Sequence, residues 1–126
     1  MAKGTHSYLE DNRNKSIKIY INGKILSRAD ASISVFDSGF LLGDGVWEGI
    51  RLLNGKLVSL DEHLERLFFG AKQLDINIGC SRKELIKIIH KTLNANNMTN
   101  NVHIRLIVSR GLKKTPYQHP NANIQG

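Results

Sequence analysis

The sequence is poor in cysteine and proline and has no long apolar run, and each of these absences excludes a class of protein. The single cysteine, Cys80, cannot form an intramolecular disulfide, which excludes a disulfide-stabilised scaffold and fits a reducing compartment. No apolar run approaches the ~18 residues that cross a membrane, and residues 1–15 lack the apolar core of a secretory signal. We therefore expect a cytoplasmic protein that has no membrane partner.

Positive charge is in excess but is not concentrated in any one segment. The chain has 18 lysines and arginines against 11 acidic residues, a net charge of +7, with no block of five or six basic residues. The aromatic motif of RNA-binding domains and the ligand spacing of zinc sites are both absent. We therefore expect that the protein binds neither nucleic acid nor metal. Nucleic-acid binding through the positive charge is the weaker alternative. A phosphorylated or acidic small molecule could use the same charge locally.

The length and composition are those of one small globular domain. The chain has 126 residues, of which 40% are hydrophobic and 23% are charged. Residues 1–15 are polar and predict a loose lead-in, and residues 16–111 predict the folded domain. Residues 112–126 are polar, carry both prolines and show no periodicity. They predict a linker toward an absent C-terminal domain.

Two Asn-Gly pairs, at 22–23 and 54–55, are strong hairpin signals between alternating apolar segments. They predict paired strands at 16–20 with 24–27 and at 46–53 with 56–60, and the segment Gly43-Asp44-Gly45 predicts a sharp turn. Helical periodicity predicts a helix from an Asp61 N-cap to about Leu74, and a second over 82–96 that opens with a capping box of Ser81 and Glu84. Apolar residues at 33–35 predict a short strand or bridge, and alternation over 102–109 predicts a final strand. The result is an α+β domain, with two helices packed on one face of a mostly antiparallel sheet.

Two stripes of residues run along the first predicted helix. One is apolar and predicts the buried face, and the other contains His63, Arg66, Gly70 and Gln73. Arg66 is either a surface residue paired with Glu62 or a functional cation. Gly70 costs ~1 kcal/mol in a helix unless another backbone or a ligand packs against it.

Three further positions are candidates for a binding site. Gly49 weakens its strand unless something approaches the backbone closely, and beside the large Trp47 it suggests a pocket wall. The alternative is a bulge followed by turns. Arg105 is a cation in mid-strand, on the face opposite the helices, and it is either functional or solvated at a sheet edge.

Four segments, at 21–24, 37–51, 53–67 and 103–111, together resemble the small N-terminal domain of class IV (fold type IV) aminotransferases. The family includes branched-chain aminotransferases, D-amino-acid aminotransferases and aminodeoxychorismate lyase. The resemblance implies the cofactor pyridoxal 5'-phosphate (PLP), amino-acid and 2-oxo-acid substrates, and a homodimer or larger assembly.

Matched position by position, the resemblance assigns roles to the candidate residues. Arg66 corresponds to the arginine that binds the PLP phosphate, which suits a guanidinium that never deprotonates. Trp47 and Gly49 correspond to residues that line the substrate pocket, and Arg105 to the arginine that recognises the distal carboxylate of glutamate in branched-chain enzymes. No catalytic residue is assigned, because the family's catalytic lysine lies in the large C-terminal domain. These 126 residues are then expected to be an inactive fragment, or else a non-catalytic truncated module.

The resemblance is greater to the branched-chain type than to its relatives. D-amino-acid aminotransferases bind the substrate carboxylate with an Arg-x-His motif, and the matching positions here are Thr115 and Tyr117. The same subfamily usually has a tyrosine at the position of Trp47, which has no hydroxyl group. The segment EGIR at 48–51 and Arg105 match the branched-chain pattern, although Leu42 stands where that pattern has an aromatic residue. We expect part of a branched-chain aminotransferase, with D-amino-acid aminotransferase or aminodeoxychorismate lyase as alternatives.

Overall fold

The computed structural model describes residues 9–114 and the backbone of residues 123–124. Within these residues, seven strands form three separate antiparallel sheets, in the orders β1-β2, β4-β3-β5 and β6-β7. The strands are β1 (Lys18–Ile21), β2 (Lys24–Ser27), β3 (Gly45–Leu53), β4 (Lys56–Leu57), β5 (Val102–Ser109), β6 (Leu112–Lys113) and β7 (Asn123–Ile124). The α-helices are α1 (Ser38–Leu42), α2 (Leu60–Gln73) and α3 (Arg82–Ala95).

The three-stranded sheet is the centre of the domain. Strands β3 and β5 pair in register from Gly45 opposite Ser109 to Leu52 opposite Val102. One face is covered by α2 and α3, whose Leu64, Leu67, Leu85, Ile89 and Leu93 join Ile50 and Leu52 in the hydrophobic core. The other face is open, so the predicted α+β architecture with helices on one face of an antiparallel sheet is confirmed.

Both predicted hairpin turns are confirmed. Asn22 and Gly23 have φ angles of 48° and 90°, and Asn54 and Gly55 have 52° and 76°. Two consecutive left-handed residues are the type I′ turn that Asn-Gly favours, because its twist matches that of paired strands. Strand β4 is shorter than predicted, since its pairing with β3 stops at Leu57.

The segment before β3 differs from the prediction. A helix that the sequence did not predict, α1, leads into the predicted turn at 43–45. Asp37 caps it by accepting hydrogen bonds from the Gly39 and Phe40 amides at 2.8 and 3.3 Å, and Gly43 ends it at a φ of 68°. The strand predicted at 33–35 is wrong, because this segment is irregular and lies exposed with no paired strand.

The predicted N-cap of α2 is also wrong. The cap residue is Ser59, at a φ of 53° and without a side-chain cap hydrogen bond, and Asp61 lies in the first helical turn. The helix ends at Gln73 with Leu74 as its C-cap, in agreement with the predicted end at about Leu74. For α3 the Ser81 half of the predicted capping box is confirmed, since the Ser81 hydroxyl accepts a hydrogen bond from the Glu84 amide at 3.1 Å.

The predicted linker contains two short strands within its described part. Leu112 and Lys113 of β6 pair with Ile124 and Asn123 of β7. Residues 1–8, and the Thr115 and Tyr117 positions used to compare subfamilies, lie outside the described residues. Among the helices that are described, none has the length and apolar character needed to cross a membrane.

Candidate active site

Glu48 is an acidic residue on the helix-covered face of β3, where its neighbours are apolar. Side chains alternate along the strand, so Val46, Glu48, Ile50 and Leu52 share this face. Glu48 is 5% exposed, whereas Ile50 is fully buried and Leu52 is 4% exposed. A carboxylate at such a position requires partners, because burial of an unpaired charge is costly.

Helix α2 supplies both partners of Glu48 from the second stripe. The Arg66 Nε and Nη2 atoms donate to the two Glu48 oxygens at 2.5 and 2.8 Å, and His63 Nδ1 lies 2.7 Å from Oε2. The helical spacing of three residues brings His63 and Arg66 to the same side of α2. The ion pair of Arg66 is therefore with Glu48, across the sheet–helix interface, instead of with Glu62.

These contacts shift the pKa values of both Glu48 and Arg66. The Arg66 guanidinium, together with the weaker contribution of His63, lowers the pKa of the Glu48 carboxyl to about 2. Glu48 in turn raises the pKa of Arg66. The pair is ionised at every pH at which an ordinary enzyme works.

Arg66 keeps one edge of its guanidinium for another ligand. Its side chain is 71% exposed although Nε and Nη2 are held by Glu48. Within the described part of the chain, Nη1 has no hydrogen-bond partner. An exposed, fixed guanidinium with donors to spare fits an anionic group such as a phosphate ester.

The second stripe of α2 also contains the predicted glycine anomaly. A Cβ atom at Gly70 would lie 3.3 Å from Val46 Cγ1 of β3. Gly70 thus lets α2 approach the start of β3, and a side chain from the sheet packs against it. This close approach belongs to the packing of the domain.

Trp47, Gly49 and Arg105 lie together on the open face of the sheet. Gly49 is directly opposite Arg105 in the β3–β5 register. The Arg105 guanidinium carbon lies 4.1 Å from the centroid of the Trp47 ring, a cation–π contact that fixes the direction of both side chains. The indole is still 58% exposed. The three residues form one surface with an apolar half and a cationic half.

His103 lies over Gly49, a contact that was not predicted from the sequence. A Cβ at Gly49 would be 2.8 Å from His103 Cε1 and 3.0 Å from Nε2. The close approach predicted over Gly49 is therefore made by the imidazole ring. The alternation of β5 places His103 and Arg105 on the same face, and this pattern could have identified it.

The four predicted site residues do not form one cluster within the described residues. Trp47 and Gly49 flank Glu48 along β3 and point to the open face, whereas Glu48 and its partner Arg66 lie on the helix side. A depression of about 350 Å³ lies elsewhere, between Leu42, Gly43, Asp44 and Leu74, and none of the four lines it.

Comparisons with known proteins agree with the resemblance read from the sequence. The family model described as amino-transferase class IV matches residues 45–125. A protein of Methanocaldococcus jannaschii, provisionally named a branched-chain-amino-acid aminotransferase, is 47% identical over 96 residues, which are 76% of this chain and 33% of that protein. A D-alanine aminotransferase of Listeria monocytogenes is 36% identical over 104 residues, 82% of this chain and 35% of that protein.

Solved structures show the same similarity in three dimensions. The branched-chain aminotransferase of the archaeon Thermoproteus uzoniensis, solved with norvaline, superposes with a TM-score of 0.68 and 28% identity. The match covers 82% of this chain and 35% of that one. The chain thus spans about a third of the length of these relatives. With the family model covering most of β3 through β7 and relatives well above 30% identity, the chain belongs to the class IV aminotransferases.

Proposed function

We propose that this chain provides the phosphate-binding arginine and one wall of the substrate pocket in a PLP-dependent branched-chain amino acid aminotransferase. The observation that carries the proposal is Arg66, whose guanidinium is fixed by Glu48 and remains open to an anion. Two structures of one branched-chain relative support the cofactor, the first complexed with N-(5'-phosphopyridoxyl)-L-glutamate and the second with pyridoxamine 5'-phosphate. When bound, PLP supplies the electron sink that lets an amino group leave one substrate and join a 2-oxo acid.

Arg66 would hold the phosphate through the edge that Glu48 leaves open. Two N–H groups of a planar guanidinium can bond two phosphate oxygens at once, and the charge persists at every working pH. Because Arg66 is on a helix that packs firmly against β3, the phosphate would be anchored to the packed core of the domain. An anchored cofactor keeps the same orientation to the substrate in each half-reaction.

The open sheet face would recognise the substrates. Trp47 offers a broad apolar surface to a branched side chain, and the absence of a Cβ at Gly49 lets the His103 ring lie close to the strand beside it. Arg105 would pair with the distal carboxylate when glutamate is the amino donor, held in place by its stacking on the indole. The same relative was solved once with L-glutamate in the cofactor adduct and once with 4-methylvaleric acid, which carry these two chemistries.

We further propose that the protein works in the cytoplasm as a homo-oligomer and that its catalytic lysine lies outside these 126 residues. The relatives are about three times as long as the aligned part, which supports a second domain carrying that lysine. These residues alone would then be inactive. The alternative, a non-catalytic module, would require that the whole protein does not bind PLP.

Removal of Arg66 tests the cofactor assignment. Arg66→Ala in the full-length protein should weaken PLP binding about 30- to 100-fold, because a charge-assisted, bidentate contact is lost. Equilibrium dialysis of the cofactor-free protein against PLP measures the change. Arg82→Ala is the matched control, since Arg82 is another helical arginine and packs over Phe68 at 6.0 Å. PLP affinity that Arg66→Ala leaves intact would remove Arg66 from this role.

Substrate selectivity tests the branched-chain assignment against its alternatives. We expect amino transfer from L-leucine and L-glutamate, and Arg105→Gln should raise the KM for glutamate about tenfold while affecting leucine little. D-alanine is the critical comparison, because D-alanine aminotransferases are also among the relatives. Preference for D-alanine, or lyase activity on aminodeoxychorismate without transamination, would assign the protein to another branch of the family.

A further inference from the structure

Glu48 has a contact pattern that the stability of the domain does not explain. Its carboxylate accepts from both Arg66 Nε and Nη2 and contacts His63, although it occupies a core-facing strand position beside Val46 and Ile50. A buried ion pair stabilises a protein no better than a well-packed apolar residue does. Here one partner of the pair is largely in solvent, which reduces the electrostatic gain further.

The effect of Glu48 on Arg66 is geometric. An exposed arginine samples many rotamers, and ordering it on a ligand costs up to ~2 kcal/mol of side-chain entropy. Glu48 bonds the Nε–Nη2 edge and so fixes the guanidinium plane before any ligand arrives. His63, one helical turn away, contacts the same Oε2 atom as Arg66 Nη2 and adds a second restraint on the orientation of the carboxylate. The remaining edge of Arg66 then points in one direction.

We propose that Glu48 is a positioning residue that pre-orders Arg66 for the phosphate of the cofactor, with His63 holding the carboxylate in place. This inference rests on the proposed role of Arg66 and adds a residue to it. The opposing effect is electrostatic, because a carboxylate close to a phosphate repels it. If Glu48 mainly orders Arg66, Glu48→Gln weakens phosphate binding. If Glu48 mainly repels the phosphate, Glu48→Gln strengthens phosphate binding.

The experiment compares PLP with pyridoxal, which has the same ring and aldehyde but no phosphate. Dissociation constants for both are measured by equilibrium dialysis on the cofactor-free, full-length protein and on the Glu48→Gln, Arg66→Ala and double variants. We expect Glu48→Gln to weaken PLP binding about tenfold, equivalent to ~1.4 kcal/mol, and to leave pyridoxal binding unchanged. In the Arg66→Ala background the Glu48 substitution should have no further effect on the ratio of the two constants.

Each alternative result is decisive. PLP binding that is unchanged or tighter in Glu48→Gln overturns the proposal, as does an equal loss for PLP and pyridoxal, which marks a merely structural role. The PLP preference is the ratio of the dissociation constant for pyridoxal to that for PLP. If Arg66→Ala lowers this preference but Glu48→Gln does not, only the positioning role of Glu48 fails. If Arg66→Ala itself has no effect on the preference, the proposed cofactor site fails as well.

A second variant keeps the test valid if Glu48→Gln does not fold. Arg66→Lys retains the positive charge and an intact Glu48, but an ammonium group cannot occupy both carboxylate oxygens and still present a planar edge. We expect Arg66→Lys to lose most of the PLP preference that Arg66→Ala loses. Wild-type PLP preference in Arg66→Lys would show that a pre-ordered fork is unnecessary and would overturn the proposal.

Discussion

At the scale of single residues, the ionisation of Glu48 controls part of the stability of the domain. In the unfolded chain its pKa is near the ordinary 4.5, and in the folded chain Arg66 lowers it to about 2. A group whose pKa falls on folding stabilises the folded state above its unfolded pKa, and this contribution is lost as the pH falls toward the folded value. The relevant window is therefore about pH 5 to 2.

The first prediction concerns this acid window. Between about pH 5 and 2 the free energy of unfolding of the wild type should fall by about 1 kcal/mol more than that of Glu48→Gln, after allowance for solvent around Arg66. Urea unfolding at half-unit pH intervals measures the difference. Parallel pH profiles for the two proteins would contradict the prediction. Glu62→Gln is the control, because Glu62 makes no ion pair within the described residues.

Two glycines of β3 give a second prediction, because they are close to different kinds of atom. A Cβ at Gly45 would lie 2.6 Å from the Val108 carbonyl oxygen, which is backbone and cannot move away. A Cβ at Gly49 meets only the tip of the His103 ring. We expect Gly45→Ala to destabilise the protein by about 2–3 kcal/mol and Gly49→Ala by less than about 1 kcal/mol.

Denaturant melts of both glycine variants measure these costs. The His103→Ala background is the internal control, since it should remove most of the Gly49→Ala penalty and none of the Gly45→Ala penalty. Equal destabilisation by the two alanine variants would contradict the prediction, because it would mean that the β5 backbone moves away from a new Cβ as easily as the His103 ring does.

Much of the candidate site could be read from residue patterns, but the pairing could not. Alternation along β3 and β5 places Trp47, Gly49 and Arg105 on one face, as the structure has them. The same alternation places Glu48 among core residues, a signal for a partner cation that was not used in the sequence analysis. Which cation does so depends on how α2 lies on the sheet, and local spacing suggested Glu62 as the partner of Arg66 instead of Glu48.

At the scale of secondary-structure elements, the two long helices begin in different ways. Helix α3 has a conventional N-cap, since Ser81 accepts a hydrogen bond from the Glu84 amide. Helix α2 begins after Ser59, which has a φ of 53° and makes no side-chain cap hydrogen bond. The chain enters α2 directly from the second hairpin, so the backbone geometry of that junction takes the place of a capping side chain.

The third prediction compares these serines. Ser81→Ala should cost about 1 kcal/mol because the cap is lost, whereas Ser59→Ala should change stability by less than about 0.5 kcal/mol. Ser59→Gly should stabilise the protein by about 0.5–1 kcal/mol, since glycine adopts a positive φ without steric cost. Thermal and urea unfolding of the three variants measure the order. A Ser59→Ala cost equal to that of Ser81→Ala would contradict it.

Element prediction succeeded where the signal was local. Asn-Gly turns, strand alternation over 102–109 and the apolar stripe of α3 specify geometry within a few residues, and all three appear in the structure. The strand predicted at 33–35 failed because apolar character alone does not make a strand, and this segment pairs with no neighbouring strand among the described residues. Helix α1 was missed because its five residues are too few to show helical periodicity.

At the scale of the whole molecule, Arg110 joins three parts of the domain that are distant in sequence. It follows β5, and its Nε donates to Asp44 Oδ2 at 2.6 Å, just before β3. Its Nη2 donates to the Leu74 carbonyl at 2.6 Å and its Nη1 to the Asp75 carbonyl at 3.2 Å, at the end of α2. The side chains of the ion pair are only 16% and 22% exposed. A cation at this place also compensates the negative end of the helix dipole.

The fourth prediction is that Arg110→Met destabilises the fold by about 2–3 kcal/mol, because it leaves the Asp44 carboxylate and two helix-end carbonyls without their donor. Urea unfolding of the full-length protein measures the loss. Arg28→Met is the matched control, since Arg28 is exposed and donates to a single carbonyl, and its effect should stay below about 0.5 kcal/mol. Equal effects of the two variants would show that Arg110 does not connect these elements.

The sequence by itself determined the turns, the two long helices, the faces of the central strands and the family, because each depends on spacing or motif within short segments. Only the tertiary structure decided that Arg66 is held by Glu48, that His103 covers Gly49 and that Arg110 ties β5 to the end of α2. The members of these contacts are 18, 54 and 36 residues apart, as numbered in the chain. Such contacts depend on how a helix or strand lies against its neighbour, and that placement is set by packing of the whole core.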